Sequence, residues 1–242
     1  MNWWRSSDSG RAAASHFGCM FCVICATIFA FGGTSHGALL YVDADKSTNT
    51  GPSSAFTGGT NDQADDNLWS RRTGFASGSS VYQSGDGNGE DSPEISTTIT
   101  GLVPNTLYTA YVHFWDGSGD PPDWNVRGGF ASGSLTLFAN PADAADIGAQ
   151  NAVLASSLTY STPPSVFAEA DRTMYAGLLG NGTSDASGQL TIYVDDRPST
   201  IGVNNRSWYD GVSYEWAVPE PSSLAILLFA IPLLTAARQR AS

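Results

Sequence analysis

Catalysis needs groups that titrate, coordinate or attack, and this sequence offers few of them in workable combinations. Of the histidines His16, His36 and His113, only the last lies beyond the first 38 residues. It falls in a strand-like stretch where a lone histidine is ordinarily packed or solvated. Adjacent acids at Asp65-Asp66 and Asp195-Asp196 have the composition of a glycosidase acid/base pair. In so acidic a chain, neighbouring acids are more often solvated turn residues. No G-x-S-x-G elbow, H-E-x-x-H helix or phosphate-binding glycine loop is present. Cys19, Cys22 and Cys25 have the spacing of a metal site, but all three lie inside an apolar run.

Hard-cation binding is a more physical use of the acids. Asp43, Asp45, Ser47 and Asn49 place oxygen side chains at alternate positions, and Asp86, Asn88 and Glu90 do the same in a glycine-rich loop. Both resemble the first half of an EF-hand-type calcium loop, without its sixth-position glycine or twelfth-position glutamate. A structural calcium ion and ordinary Asx turns are the two readings. Trp124, Trp208 and Tyr209 sit among Asp, Asn, Arg and Gly, where flat rings beside hydrogen-bonding groups can stack on pyranoses. Core packing is the alternative for each ring.

The elements positioning these residues are strands. The 242-residue chain has 26 Gly, 12 Pro and 11% aromatics, a composition that favours short strands joined by turns. Strand patterns occur at 39–44, 79–84, 94–100, 107–115, 134–139, 173–180, 188–196 and 207–216. Residues 143–157 read as a short helix or a loop. The fold class expected is all-β, a single β-sandwich or jelly roll over 39–216. Net charge is −12, and 39–218 holds 21 acidic against 7 basic residues, a net of −14. Such a surface repels phosphate backbones, which argues against nucleic acid as a partner.

The ends differ from the middle. Arg5 and Arg11 precede the apolar run 17–31, which small residues follow, as in a secretory signal peptide spanning 1–38. Its removal would leave no cysteine, hence no disulfide or thiol nucleophile. At the other end, Val218, Pro219, Glu220 and Pro221 lead into 224–237, 14 residues without charge, and then Arg238 and Arg240. As a helix this run measures about 21 Å, short of a hydrocarbon core of roughly 30 Å unless snorkelling arginines extend its reach. The basic end would remain cytoplasmic by the positive-inside rule.

That order of elements over 217–242 resembles the PEP-CTERM sorting signal of bacteria that make exopolysaccharide. The resemblance implies export by the secretion machinery and membrane anchoring. Processing by an exosortase follows, with a final place at the cell surface or in the extracellular matrix. In the body, Leu102, Pro104 and Tyr108 form an L-x-P-x-x-x-Y pattern that resembles fibronectin type III and related sandwich modules. There the tyrosine hydroxyl closes a corner, and Ala110, Val112 and Phe114 would share its face. The stretch RSWYDGVSY resembles the closing strand of galactose-binding-like modules. The pattern W-x-x-R-x-G-F-A-S-G-S occurs at 69–79 and 124–134 with eight of eleven positions identical. As an internal duplication it would bury Phe75 and Phe130 and set Trp69 and Trp124 near a rim. The function expected is an exported binding or structural module without catalytic residues, with polysaccharide as a candidate partner. The alternative is a secreted polysaccharide lyase or glycoside hydrolase using acids near Trp124 or Trp208, Asp210 among them.

Overall fold

The computed structural model describes residues 37–44, 49–50, 56–60, 68–72, 81–84, 91–117, 124–197 and 206–217. They form an all-β body with almost no helix. In chain order the strands are β1 (Leu39–Asp43), β2 (Asn49–Thr50), β3 (Phe56–Thr60), β4 (Trp69–Arg72), β5 (Val81–Gln83), β6 (Ile95–Ile99) and β7 (Leu107–Gly117). There follow β8 (Asn125–Ala131), β9 (Ser134–Ala139), the single-turn helix α1 (Ala144–Ile147), β10 (Gln150–Asn151), β11 (Val153–Leu154) and β12 (Tyr160–Thr162). The last are β13 (Ala168–Glu169), β14 (Arg172–Thr183), β15 (Leu190–Asp195) and β16 (Trp208–Trp216).

Two sheets result. The larger runs β11-β14-β7-β16-β5-β4-β3, with β1 on the far edge of β16 and β12 beyond it; the smaller runs β10-β9-β8-β15-β6-β2. Their shared core explains the alternation seen in β7. Tyr108, Ala110, Val112 and Phe114 are all buried on one face, and they meet Val126, Phe138, Ile192 and Val194 from the smaller sheet. Each large side chain buried this way contributes roughly 1.5–3 kcal/mol. Gly177 on β14 is needed for this approach, because a side-chain carbon there would strike the ring of Phe138.

The opposite face of the larger sheet is covered too. Trp115, Met174, Ala176, Val81 and Trp208 form a second cluster, closed over by Ala155, Leu158, Val166 and Phe167 from the segment that follows β11. The β7 strand is therefore buried on both sides along its second half, from Val112 to Asp116. This is why LYTAYVHFW reads as a nearly continuous apolar run.

The expected tyrosine corner is present. Tyr108 is buried, and its hydroxyl accepts the Val103 backbone N–H at 3.0 Å. Three expectations are revised. Residues 143–157 form neither one helix nor one loop but α1, two short strands and a 3-10 turn. The described start of the first copy of the eleven-residue pattern, 69–72, lies in the larger sheet as β4, whereas the second copy begins in β8 of the smaller sheet. Their tryptophans, Trp69 and Trp124, are buried rather than set at a rim. Phe130 is only partly buried against the core, and Phe75 lies outside the described residues.

Candidate functional site

Three groupings of functional side chains occupy the body, and each is positioned by strand geometry. The first lies on the covered outer face of the larger sheet. A bulge in β16 between Tyr209 and Gly211 makes Asp210 the extra residue, turned toward β1. Gly211 is required there, since any side chain would collide with the Val42 carbonyl oxygen. The Tyr41 hydroxyl lies 2.6 Å from Asp210 Oδ2, 2.8 Å from the Asp210 carbonyl oxygen and 3.3 Å from Asp43 Oδ1. Burial pushes the Asp210 carboxyl up to about 7, although hydrogen bonds from Tyr41 and Trp115 pull the other way. Burial and the two nearby carboxylates push the Tyr41 hydroxyl well above its ordinary value.

Two residues along the same face, His113 Nε2 is 2.8 Å from Ser213 Oγ, and Tyr41 packs edge-on to the imidazole at 5.4 Å. Burial lowers His113 to about 3, so the ring is neutral throughout the physiological range. Tyr160, from the covering segment, tilts over the histidine at 6.1 Å.

The second grouping staples the two sheets together. Ser84 and Ser207 exchange backbone and side-chain bonds: Ser84 N donates to Ser207 O at 2.9 Å, and Ser207 N to Ser84 Oγ at 3.0 Å. The Ser207 hydroxyl donates to the Asn125 carbonyl oxygen at 2.5 Å. Beside it, Asp196 Oδ2 accepts the Ser92 N–H at 3.1 Å. Burial raises Asp196 to about 7, while the bonds from Ser92 and Ser84 oppose that rise. Burial also lifts its neighbour Asp195 to about 6, against the pull of Arg127, whose guanidinium is 3.0 Å away.

The third grouping is aromatic. Trp124 and Trp208 lie 4.5 Å apart between ring centroids. The Arg172 guanidinium sits over both rings, at 5.2 and 4.6 Å, and Arg206 lies over Trp124 at 5.7 Å. Desolvated contacts of this kind are worth on the order of 1–2 kcal/mol each.

No protein-family model matches the chain, and no curated protein matches it in sequence.

The glycan-stacking candidates Trp124, Trp208 and Tyr209 are all buried. The two tryptophans face each other and arginines, and Tyr209 lies between the sheets with its hydroxyl 2.5 Å from Thr97 Oγ1. None of the three presents an open face in this conformation, because strand alternation sends Tyr209 inward and the segment after β11 roofs Trp208. Of the calcium candidates, Asp43 is half-buried beside Tyr41, while Asp45, Asp86, Asn88 and Glu90 lie outside the described residues. Among the described residues no three His, Cys, Asp or Glu side chains converge as a metal-binding group. The sorting residues Val218, Pro219, Glu220 and Pro221, the basic pair Arg238 and Arg240, and the apolar runs at both ends also lie outside them. Among the described residues no helix is long and apolar enough to cross a membrane.

Sequence reasoning missed Ser84, Ser207 and Tyr41, whose partners Ser207, Ser84 with Asn125, and Asp210 lie 82 to 169 residues away in the chain. It missed Asn140 as well. That side chain donates to Asp116 Oδ2 at 2.7 Å and to Asp143, and its oxygen accepts the Ala142 N–H at 2.7 Å. The N-P-A-D spelling of an Asx turn at 140–143 was the one local signal available.

Proposed function

We propose that this chain is an exported protein of the cell envelope or extracellular matrix, sorted by an exosortase, whose β-sandwich body is a binding or structural module. The observation that carries the reading is the order of elements at the C-terminus: Val218-Pro219-Glu220-Pro221, then 14 uncharged residues, then Arg238 and Arg240. The apolar run inserts and holds the protein at the membrane, since each arginine resists mid-membrane passage by about 2.5–3.5 kcal/mol. The two prolines and the carboxylate keep the chain extended and polar outside it, as a recognition handle. An N-terminal signal peptide over 1–38 delivers the body across the membrane. Polysaccharide is the class of partner this reading names.

A module role is supported by how the body uses its reactive groups. The residues with the most perturbed carboxyl or imidazole groups, Asp196, Asp210 and His113, are buried and hydrogen-bonded into the fold. A catalytic carboxyl must instead reach substrate.

Replacing Pro219, Glu220 and Pro221 together by alanine, in a host with an active exosortase, tests the reading. Export and membrane retention should persist while a full-length species accumulates in the membrane fraction. Replacing Ile226, Leu227 and Leu228 by Asp should instead release the protein unsorted. Processing of the triple-alanine variant at the normal rate would reduce the tail to an ordinary anchor.

A further inference from the structure

β1 and β16 pair antiparallel with Leu40 opposite Tyr214, so the chain joins the body at the pole where it leaves. Gly37 lies against the Glu215 side chain, and the Ala217 N–H donates to the Leu107 carbonyl oxygen at 3.2 Å. The same pole gathers four of the seven large apolar side chains that stand exposed among the described residues. These are Trp216 at 52%, Val103 at 46%, Leu107 at 43% and Leu40 at 38%. Trp216 and Val103 both adjoin Tyr108, whose ring lies 6.1 Å from Trp216 and whose hydroxyl accepts the Val103 N–H; Leu107 is its neighbour in the chain, and Leu40 lies opposite Tyr214. The apolar run 224–237 begins seven residues beyond Ala217, a reach of at most about 25 Å.

We propose that this pole is a membrane-contact surface, on which Trp216, Leu107, Val103 and Leu40 rest in the headgroup region of the bilayer while the tail is intact. The proposal rests on the reading of 224–237 as a membrane-inserting run. A half-exposed tryptophan beside aliphatic side chains suits that region, where an amphipathic ring has both apolar and hydrated surroundings. Lipid fits the pole better than a second copy of the chain, because the tail of each chain leaves through it and would crowd a face-to-face pairing. The body's net −14 over 39–218 disfavours anionic lipid, so the contact should form on zwitterionic membranes and vary little with salt.

The test uses the chain as signal-peptide removal leaves it, residues 39–242, reconstituted with phosphatidylcholine vesicles whose acyl chains carry bromine near the headgroup. Flotation of the vesicles reports anchoring, and bromine quenching of tryptophan emission reports contact. Wild-type protein should float and show a quenched component that is absent from W216F. The V103D/L107D variant, which keeps Trp216, should float equally but lose most of that component; melting curves verify that both variants fold. Protein that does not float overturns the tail reading and this proposal together. Protein that floats with equal quenching in wild type and W216F leaves the tail reading standing and overturns the pole contact. So does a sedimenting dimer in which Trp216 is shielded from bromine, the result expected if a second copy covers the pole.

Discussion

Asp210→Asn should make the body more stable at pH 8 while changing little at pH 4.5. The carboxyl titrates at about 7 in the folded protein and near 3.9 in an unfolded chain. A folded value raised in this way means that the native state holds the proton more tightly. The stabilisation is complete below about pH 4 and is lost as pH rises through about 7. Complete linkage over that interval is on the order of 4 kcal/mol, and relaxation around a buried group reduces it to on the order of 2 kcal/mol. Asparagine is neutral at every pH, and its amide oxygen can still accept the Tyr41 hydroxyl, which lies 2.6 Å from the carboxyl. For a body of this size, 2 kcal/mol corresponds to roughly 4–8 °C in Tm. Thermal melts of wild type and D210N from pH 4.5 to 8.5 should therefore diverge steadily above pH 5, with the variant higher. Because removing any negative charge from so acidic a protein relieves repulsion, D146N at an exposed acid serves as the charge-matched control. Curves for D210N and wild type that run parallel, or a divergence matched by D146N, would refute the reasoning.

The opposite linkage applies at His113. Its folded value of about 3 lies below the unfolded 6.5, so its contribution is lost as pH falls, and H113N should gain on wild type between pH 6.5 and 4 in the same melts. Tyr108→Phe leaves the Val103 N–H without its 3.0 Å acceptor; a cost of about 1–2 kcal/mol, or roughly 2–8 °C in Tm, is expected at every pH. Trp208→Leu should destabilise by about 2–4 kcal/mol through lost packing against Trp124 and Arg172. Any change in polysaccharide retention should then follow the unfolded fraction; a loss of retention in fully folded W208L would restore a direct sugar contact.

Local patterns in the sequence announced what local physics determines. The eight strands read from alternation and turn residues all occur, with ends shifted by at most three residues, because each is bounded by its own Gly, Pro or Asx turn. The L-x-P-x-x-x-Y corner was legible because Tyr108 finds its partner only five residues away. What could not be read was which strand lies beside which. β8 was overlooked because its Gly128 and Gly129 lower strand propensity, yet Gly128 opposes Val194 and makes room for Leu179. The burial of Trp124, Trp208 and Tyr209 was likewise invisible, since a tryptophan flanked by Asp and Arg reads alike whether it faces a sugar or the arginine of a distant strand. Arg172, which covers both tryptophans, is 36 residues from the nearer one.

These distant polar contacts also bear on how the body holds its register without disulfides. Residues 39–216 contain no cysteine, so no covalent cross-link restricts the unfolded chain. Instead, polar groups are buried where only the native pairing satisfies them. Ser84 with Ser207 joins β5 to the start of β16, Ser207 with Asn125 reaches the smaller sheet, and Tyr209 with Thr97 crosses the core. A one-residue slip of β16 would turn its inward face outward. It would also remove Tyr209 from Thr97 and Ser213 from His113, leaving several buried donors and acceptors without partners at about 1–3 kcal/mol each. The bulge at Asp210 adds to this, because Gly211 is the only residue of β16 that can pass beneath the Val42 carbonyl. The groups that resemble reactive chemistry in the sequence, a histidine, a carboxylate pair and a tyrosine, thus act in the fold as determinants of which strands meet and in which register.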